Sequence, residues 1–360
     1  MANVAKLILW YHKYKRDLPW RKTSDPYKIW VSEIILQQTR VDQGLAYYNR
    51  FIDIFPSVNS LANATEDQVL KVWQGLGYYS RARHMLESAR KIVKVYRGRF
   101  PENYSEIISL KGIGDYTAAA IASIAFNRPY PVVDGNVLRV VSRLEGIKDP
   151  IDTVSTKKII KELLEKKIDK SSPGDFNQAL MELGALVCTP SSPDCEICPL
   201  KTQCIAFSNG RINQLPVKTK RIKKKFRYFE YFAILIRKRK SWFTFIEKRS
   251  GKDIWNGLYQ FPMIESEEPL KDPLEEFLKK KNEVFNLGEI IEQETSKPIS
   301  HVLTHRIITA RFHVIFVESA ELEKYRGVMI DYKNMLSYPF PRLIDRYLDD
   351  FLKKIEKKFT

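Results

Sequence analysis

The stretch over residues 110–136, LKGIGDYTAAAIASIAFNRPYPVVDGN, restricts what this chain can fold into more than any other part of it. Gly112 and Gly114 interrupt two helical patterns and leave backbone N–H groups that can approach a phosphate closely. The alanine-rich run after them reads as a helix over residues 115–126. A second break, residues 129–135, delivers one carboxylate, Asp134, to the start of a further helix whose apolar face includes Val137, Val140, Val141 and Leu144. Two helices joined by a tight hairpin, with a carboxylate beside them, form a place to hold a nucleic-acid backbone. Each piece also has a plain structural reading: LKGIG as an ordinary turn between helices, and Asp134 as an N-cap.

A second acid stands out by its surroundings. Residues 29–39, IWVSEIILQQT, are apolar nearly all round, which predicts a buried helix. Glu33 is the only carboxylate in it, among Trp30, Val31, Ile34, Ile35 and Leu36, so its pKa is expected to rise and the group to hold a proton near neutral pH. The alternative is a buried Glu paired with an Arg for structure. Upstream, residues 3–16 place Val4, Leu7, Ile8, Tyr11 and Tyr14 at helical spacing. Between residues 47 and 95 the pattern is helical, with turns at 55–56 and 75–77. The second turn leads into GYYSRAR, where Tyr78 and Tyr79 lie beside Arg81 and Arg83. That combination suits a wedge entering a base stack while cations hold phosphates, or else a pair of core aromatics. Helical patterns over 158–167 and 175–187 complete an all-α first domain, residues 1–187.

All four cysteines fall within 17 residues as C-x6-C-x2-C-x5-C: Cys188, Cys195, Cys198 and Cys204. In a chain without secretory features this argues for metal or cluster ligation over disulfides, and thiol chemistry alone suits a tetrahedral zinc as well as an iron–sulfur cluster. The formal net charge of +17 makes a polyanion the expected partner, be it DNA, RNA or an anionic membrane. Residues 205–240 hold 12 Lys or Arg against one acid, Glu230, and so contribute +11 of that charge. A basic connector is therefore expected over 205–227. Beyond it, FRYFEYFAILIRK, SWFTFIEKR and ITARFHVIFVES read as strands, accompanied by helical segments at 273–280 and 341–357, giving an α+β domain over 228–360. No apolar run is long enough to span a bilayer and the N-terminus turns polar early, so a soluble, cytoplasmic protein without membrane partners is expected.

The motifs LPWRK, PYKIWVSEIILQQTRV, VWQGLGYYSRAR, LKGIGDYT, VVDGNVLRV, FNQALMELGALVCTPSSPDCEICPL and WNGLYQFP occur in this order. Over nearly the whole chain they resemble MutY-type adenine DNA glycosylases, of the helix-hairpin-helix base-excision repair superfamily. The resemblance implies a helix-hairpin-helix domain with a [4Fe-4S] cluster loop at 188–204, held by the four cysteines, and a Nudix-like C-terminal domain. It further implies a monomer acting on double-stranded DNA with A:8-oxoguanine or A:G mispairs. By the same resemblance Glu33 is the catalytic acid and Asp134 the carboxylate facing the sugar. Tyr116, Asn136, Arg21 and Glu182 line the active site and adenine pocket, and Gln38 and Tyr78 enter the opened duplex. KPISHVLTHRI resembles the loop, usually Phe-Ser-His, that reads 8-oxoguanine, with Ile299 in place of Phe and Ser300 and His301 as polar readers. His305 and His313 are expected to be structural.

Two rivals follow from the same residues: an endonuclease III-like glycosylase/lyase, disfavoured because Tyr116 stands where such enzymes keep a Lys, and a non-catalytic iron–sulfur DNA-binding protein. No REUxEExGU helix follows WNGLYQFP, so nucleotide hydrolysis by the C-terminal domain is not expected.

Overall fold

The structure, a computed structural model, describes residues 2–219, 224–238, 241–281, 284–322 and 325–357. Part of the expected basic connector, residues 220–223, lies outside the described residues. The chain divides into two compact units, Met1–Asn63 with His84–Lys220, and Ala64–Arg83 with Arg221–Thr360.

The first unit is all-α. Its helices are α1 (Ala2–Tyr14), α2 (Pro26–Ile35), α3 (Val41–Ile54) and α4 (Val58–Ala62), then, after α5 (Glu66–Trp73) of the second unit, α6 (Ser80–Tyr96), α7 (Tyr104–Ile108), α8 (Asp115–Phe126), α9 (Gly135–Leu144), α10 (Val154–Lys167), α11 (Pro173–Leu186) and α12 (Ile205–Ser208). The residues on α8 fall where the sequence predicts them. The helix expected at 29–39 is shifted: Asp25 caps it by accepting from the Tyr27 N–H with Pro26 in the first turn, and it ends at Ile35. Leu36 is its C-cap, and Gln38 lies beyond it in left-handed backbone with φ 59°. α1, α9 and α11 share one core in which Leu7, Tyr11, Val137, Leu180 and Leu183 are buried. Each such side chain contributes about 1.5–3 kcal/mol by leaving water. Ala118 to Ala122 on α8 are all buried, which the small side chains allow because they let α2 approach closely.

The second unit is built on a mixed sheet of β1 (Lys225–Lys238), β2 (Ser241–Lys248), β3 (Tyr259–Gln260), β4 (Met263–Ser266), β6 (Ile290–Thr295), β7 (Ile299–Val302), β8 (Arg306–Val317) and β10 (Val328–Asp331). Its order is β10-β2-β1-β8-β6, with β3 on β2, β4 on β1 and β7 on β8. β5 (Phe285–Leu287) and β9 (Ala320–Leu322) pair separately. β1 and β8 run parallel from Lys225 opposite Arg306 to Ile236 opposite Val317, and both are buried through their middles, as central parallel strands require. α13 (Pro273–Lys281) and α14 (Arg342–Lys357) accompany the sheet, with Phe277 and Phe351 fully buried. His313 is buried and hydrogen-bonded to Glu230 at 2.9 Å, a core role as expected.

The contiguous boundary expected at 187 misses one segment. α5 and the turn after it belong to the second unit because their polar side chains find partners there: Asp67 accepts from Lys248 at 2.7 Å and Tyr259 at 3.0 Å, and Gln74 donates to Asp345.

Candidate active site

The hairpin brings Glu33 and Tyr116 together. Glu33 lies mid-way along α2 with 6% of its surface exposed, and the Tyr116 hydroxyl, from the first turn of α8, hydrogen-bonds its Oε2. Burial raises the Glu33 carboxyl, the Tyr116 hydrogen bond and Arg21 draw it down, Asp134 raises it, and it settles at about 7. Among the described hydrogen bonds and ion pairs Glu33 is held by Tyr116, and Arg21 acts on it only electrostatically. Tyr116 is itself pushed well above the ordinary phenol range, first by burial and then by the two carboxylates.

Asp134 is the N-cap of α9. Its Oδ1 accepts from the Val137 N–H at 2.7 Å and its Oδ2 from Asn136 Nδ2 at 2.8 Å. A helix N-terminus favours the charged form of a carboxyl. Burial outweighs it and raises this carboxyl too, against the opposing pull of those hydrogen bonds and of Arg139. The loop entering this cap is fixed by the fully buried Asn177, which accepts from the Val132 N–H at 3.0 Å and donates to Tyr130 O at 2.9 Å. Arg139 holds the far side: it donates to Asn136 Oδ1 at 2.9 Å, Gly184 O at 2.7 Å and Cys188 O at 2.8 Å. Gly184 has to be small, because a Cβ there would stand 2.7 Å from Asn136 Cβ.

Arg21 and Glu182, both expected in the site, form an ion pair. Glu182 takes Arg21 through both oxygens at 2.7 and 2.6 Å, and also takes Arg16 at 3.0 and 2.6 Å. Burial pushes this carboxyl up, but the hydrogen bonds from Arg21 and Arg16 reverse the effect and hold it at about 2. Gly112 occupies left-handed backbone with φ 77°, where a Cβ would also meet His84 at 2.7 Å. Gly114 is the N-cap of α8, and nothing stands within 4 Å of the place a Cβ would take, leaving that side open for an approaching backbone. Gln38 is exposed.

The four cysteines are free and half-buried, close enough that Cys188 and Cys204 raise the thiols of Cys195 and Cys198, whose main shift comes from burial. Arg143, 1% exposed, donates to Cys188 Sγ at 3.4 Å and to the carbonyls of Thr189, Pro190 and Leu215. Among the described residues no three or more His, Cys, Asp or Glu side chains converge on a single-ion site.

In the second unit Tyr78, 47% exposed with φ 47°, hydrogen-bonds through its hydroxyl to Thr304 Oγ1 at 2.5 Å. Thr304 sits in the turn between β7 and β8, closed by Leu303 N–H to Arg306 O at 2.8 Å. Ser300 and His301 lie inside the β7 ladder instead, opposite Thr309 and Ile308, with the His301 ring 5.8 Å from that of Trp255. The structure therefore brings Thr304, not Ser300, to the expected wedge.

Residues 31–170 match the family described as HhH-GPD superfamily base excision DNA repair protein, and residues 231–350 match the NUDIX domain. The adenine DNA glycosylase of Buchnera aphidicola subsp. Acyrthosiphon pisum (strain APS) is 35% identical over 354 residues, covering 98% of this chain and 98% of that protein. The chain belongs to the adenine DNA glycosylase family. The adenine DNA glycosylase of Homo sapiens is 44% identical over 221 residues, 59% of this chain and 40% of its own. A solved thermostable thymine-DNA glycosylase matches with a TM-score of 0.53 and 30% identity, covering 57% of this chain and 95% of that one.

Sequence reasoning about this glycosylase missed Arg16, Arg139, Arg143, Asn177 and Thr304. Arg16 fills acceptor sites on Glu182 that Arg21 alone leaves open, since a carboxylate offers about four lone-pair sites. The others act on backbone carbonyls or on side chains far along the chain, which no local pattern encodes. Among the described residues no helix is long and apolar enough to cross a membrane.

Proposed function

We propose that this chain excises adenine opposite 8-oxoguanine or guanine in duplex DNA without cutting the strand. The observation that carries the reading is the pair of carboxyls that both act on Tyr116: Glu33, held at about 7 and so half protonated at neutral pH, and Asp134, whose two oxygens accept hydrogen bonds in the manner of a carboxylate. A base inside a duplex is out of reach, so it is flipped first. Glu33 gives its proton to N7 of adenine. The C1′–N9 bond then breaks with its electron pair leaving on the base, and positive charge develops on the sugar, which Asp134 stabilises or traps. Water attacks C1′ and returns a proton. Tyr116 orients Glu33, and having no amine it forms no imine with the sugar.

Cys188, Cys195, Cys198 and Cys204 would hold a [4Fe-4S] cluster, which takes one thiolate at each of four irons and so needs no convergence on one point. Four thiols in mutual electrostatic range, with Arg143 donating to one sulfur, fit that group. Bound, the cluster would supply a cross-link for the loop. Purified protein should be yellow-brown with about four irons per chain, and a colourless, active protein with one zinc would refute this assignment.

For the base opposite adenine, the contact between Tyr78 and Thr304 favours a reader at the hairpin tip, Thr304, with Ser300 and His301 supporting from the ladder. Thr304→Ala should reduce the preference for A:8-oxoguanine over A:G by about 1–3 kcal/mol, whereas Ser300→Ala should change it little. A variant series in which only Ser300→Ala matters would reverse this order.

The test of the whole reading is strand integrity. After reaction with A:8-oxoguanine duplex, breaks should form only on alkali treatment, and borohydride should trap almost no protein–DNA adduct. Trapping by the untreated wild type would move the chain to the lyase class.

A further inference from the structure

Tyr78 is presented by a turn of unusual backbone. Gly75 and Gly77 have φ 96° and 74°, and Tyr78 itself has φ 47°, three left-handed residues within four positions. A side chain in that region is disfavoured by roughly 1–2 kcal/mol, so something has to hold Tyr78 there. Arg81, one residue into α6, is placed to do it. Its guanidinium donates to Gly77 O at 3.1 Å, to Leu76 O at 3.5 Å and, through Nε, to Tyr78 O at 3.4 Å. The same group lies 5.6 Å from the centre of the Tyr78 ring and 5.2 Å from that of Trp73, so it bridges the two sides of the turn. The planar fork of an arginine reaches several carbonyls at once, which a lysine ammonium does not. At the other end of the turn Gln74 is gripped by α14 and the segment leading into it: it donates to Asp345 and accepts from the Phe340 N–H at 3.3 Å.

We propose that Arg81 is a positioning residue that fixes the backbone of residues 76–78 and so sets the angle at which Tyr78 enters the duplex, with no contact of its own to DNA. This rests on the reading of Tyr78 as the wedge. A bland role for Arg81 as one more phosphate contact makes different predictions, because that role depends on charge and this one on the fork.

The experiment is a double-mutant cycle with Tyr78→Ser and Arg81→Gln, with Arg81→Lys as the conservative variant, on full-length protein. Three quantities are read on an A:8-oxoguanine duplex: affinity, its salt dependence, and the fluorescence of 2-aminopurine placed beside the mispair, which brightens when its neighbour is unstacked. Arg81→Gln alone should weaken binding about tenfold, in line with loss of hydrogen bonds from a charged donor, and dim the 2-aminopurine signal. In the Tyr78→Ser background it should add almost nothing, since the residue acts through Tyr78. Arg81→Lys should recover little, and the salt slope should stay unchanged in every variant. Full additivity overturns the proposal, and so does full rescue by Lys with a slope that falls by about one in Arg81→Gln. If Tyr78→Ser itself changes nothing, the wedge reading falls and this inference with it. If Tyr78→Ser acts and Arg81→Gln adds in full, this inference alone falls.

Discussion

Glu33→Gln should lower the single-turnover rate of adenine release by about 100 to 10,000-fold, the range expected for loss of a positioned general acid, while duplex affinity stays within a few-fold. The amide keeps the shape of the side chain and a partner for the Tyr116 hydroxyl, so binding and fold are spared. The pH profile gives a second handle. Glu33 acts in its protonated form, and burial holds its carboxyl at about 7. The wild-type rate should therefore fall about tenfold per pH unit above that value, and below it hold level until the Asp134 carboxyl, itself raised by burial, takes up a proton. In Glu33→Gln that descending limb should vanish. A wild-type rate that climbs through pH 7 would mean that Glu33 works as a base, and near-normal release by the variant would remove it from the mechanism.

Glu182→Ala should destabilise the first unit by about 3–5 kcal/mol, because it strands the Arg21 and Arg16 guanidiniums around a fully buried position. The linkage has a definite sign. The Glu182 carboxyl is held at about 2, below its unfolded value of about 4.3, so the pair contributes its full stability above the unfolded pKa and loses it as pH falls through the folded one. The melting difference between wild type and Glu182→Ala should be constant from pH 7 down to about 5 and shrink from there toward about 2. A difference that persists undiminished in acid would locate the effect in packing and not in charge.

What the sequence disclosed, and what it withheld, follows from the range over which each feature is encoded. α8 could be read residue by residue because glycine breaks and an alanine run are local signals. The burial of Glu33 could be read because Trp30, Val31, Ile34, Ile35 and Leu36 around it are all apolar. Its partner Tyr116, 83 positions away, became visible only through a resemblance of motifs, and the wedge's partner Thr304, 226 positions away, was not visible at all. Ser300 and His301 were singled out by resemblance to a Phe-Ser-His loop, and that motif does not disclose strand register: with β7 paired so that Ser300 faces Thr309, the turn falls on Leu303 to His305. The premature end of α2 is similar, since apolar character continues past Ile35 while the backbone at Gln38 has already turned left-handed. The raised carboxyl of Asp134 was hidden for a different reason. A helix start was legible in the sequence, but the depth of its burial was not, and burial is the larger effect.

The measurement that bears most directly on the central claim is base release under single-turnover conditions from duplexes holding A:8-oxoguanine, A:G, T:8-oxoguanine and C:8-oxoguanine, each analysed for free base before any alkali. The account predicts one free adenine per abasic site from the first two duplexes, fastest opposite 8-oxoguanine, and no thymine or cytosine from the others. Release of a pyrimidine, or retention of adenine in the A:8-oxoguanine duplex by iron-replete protein, would contradict it.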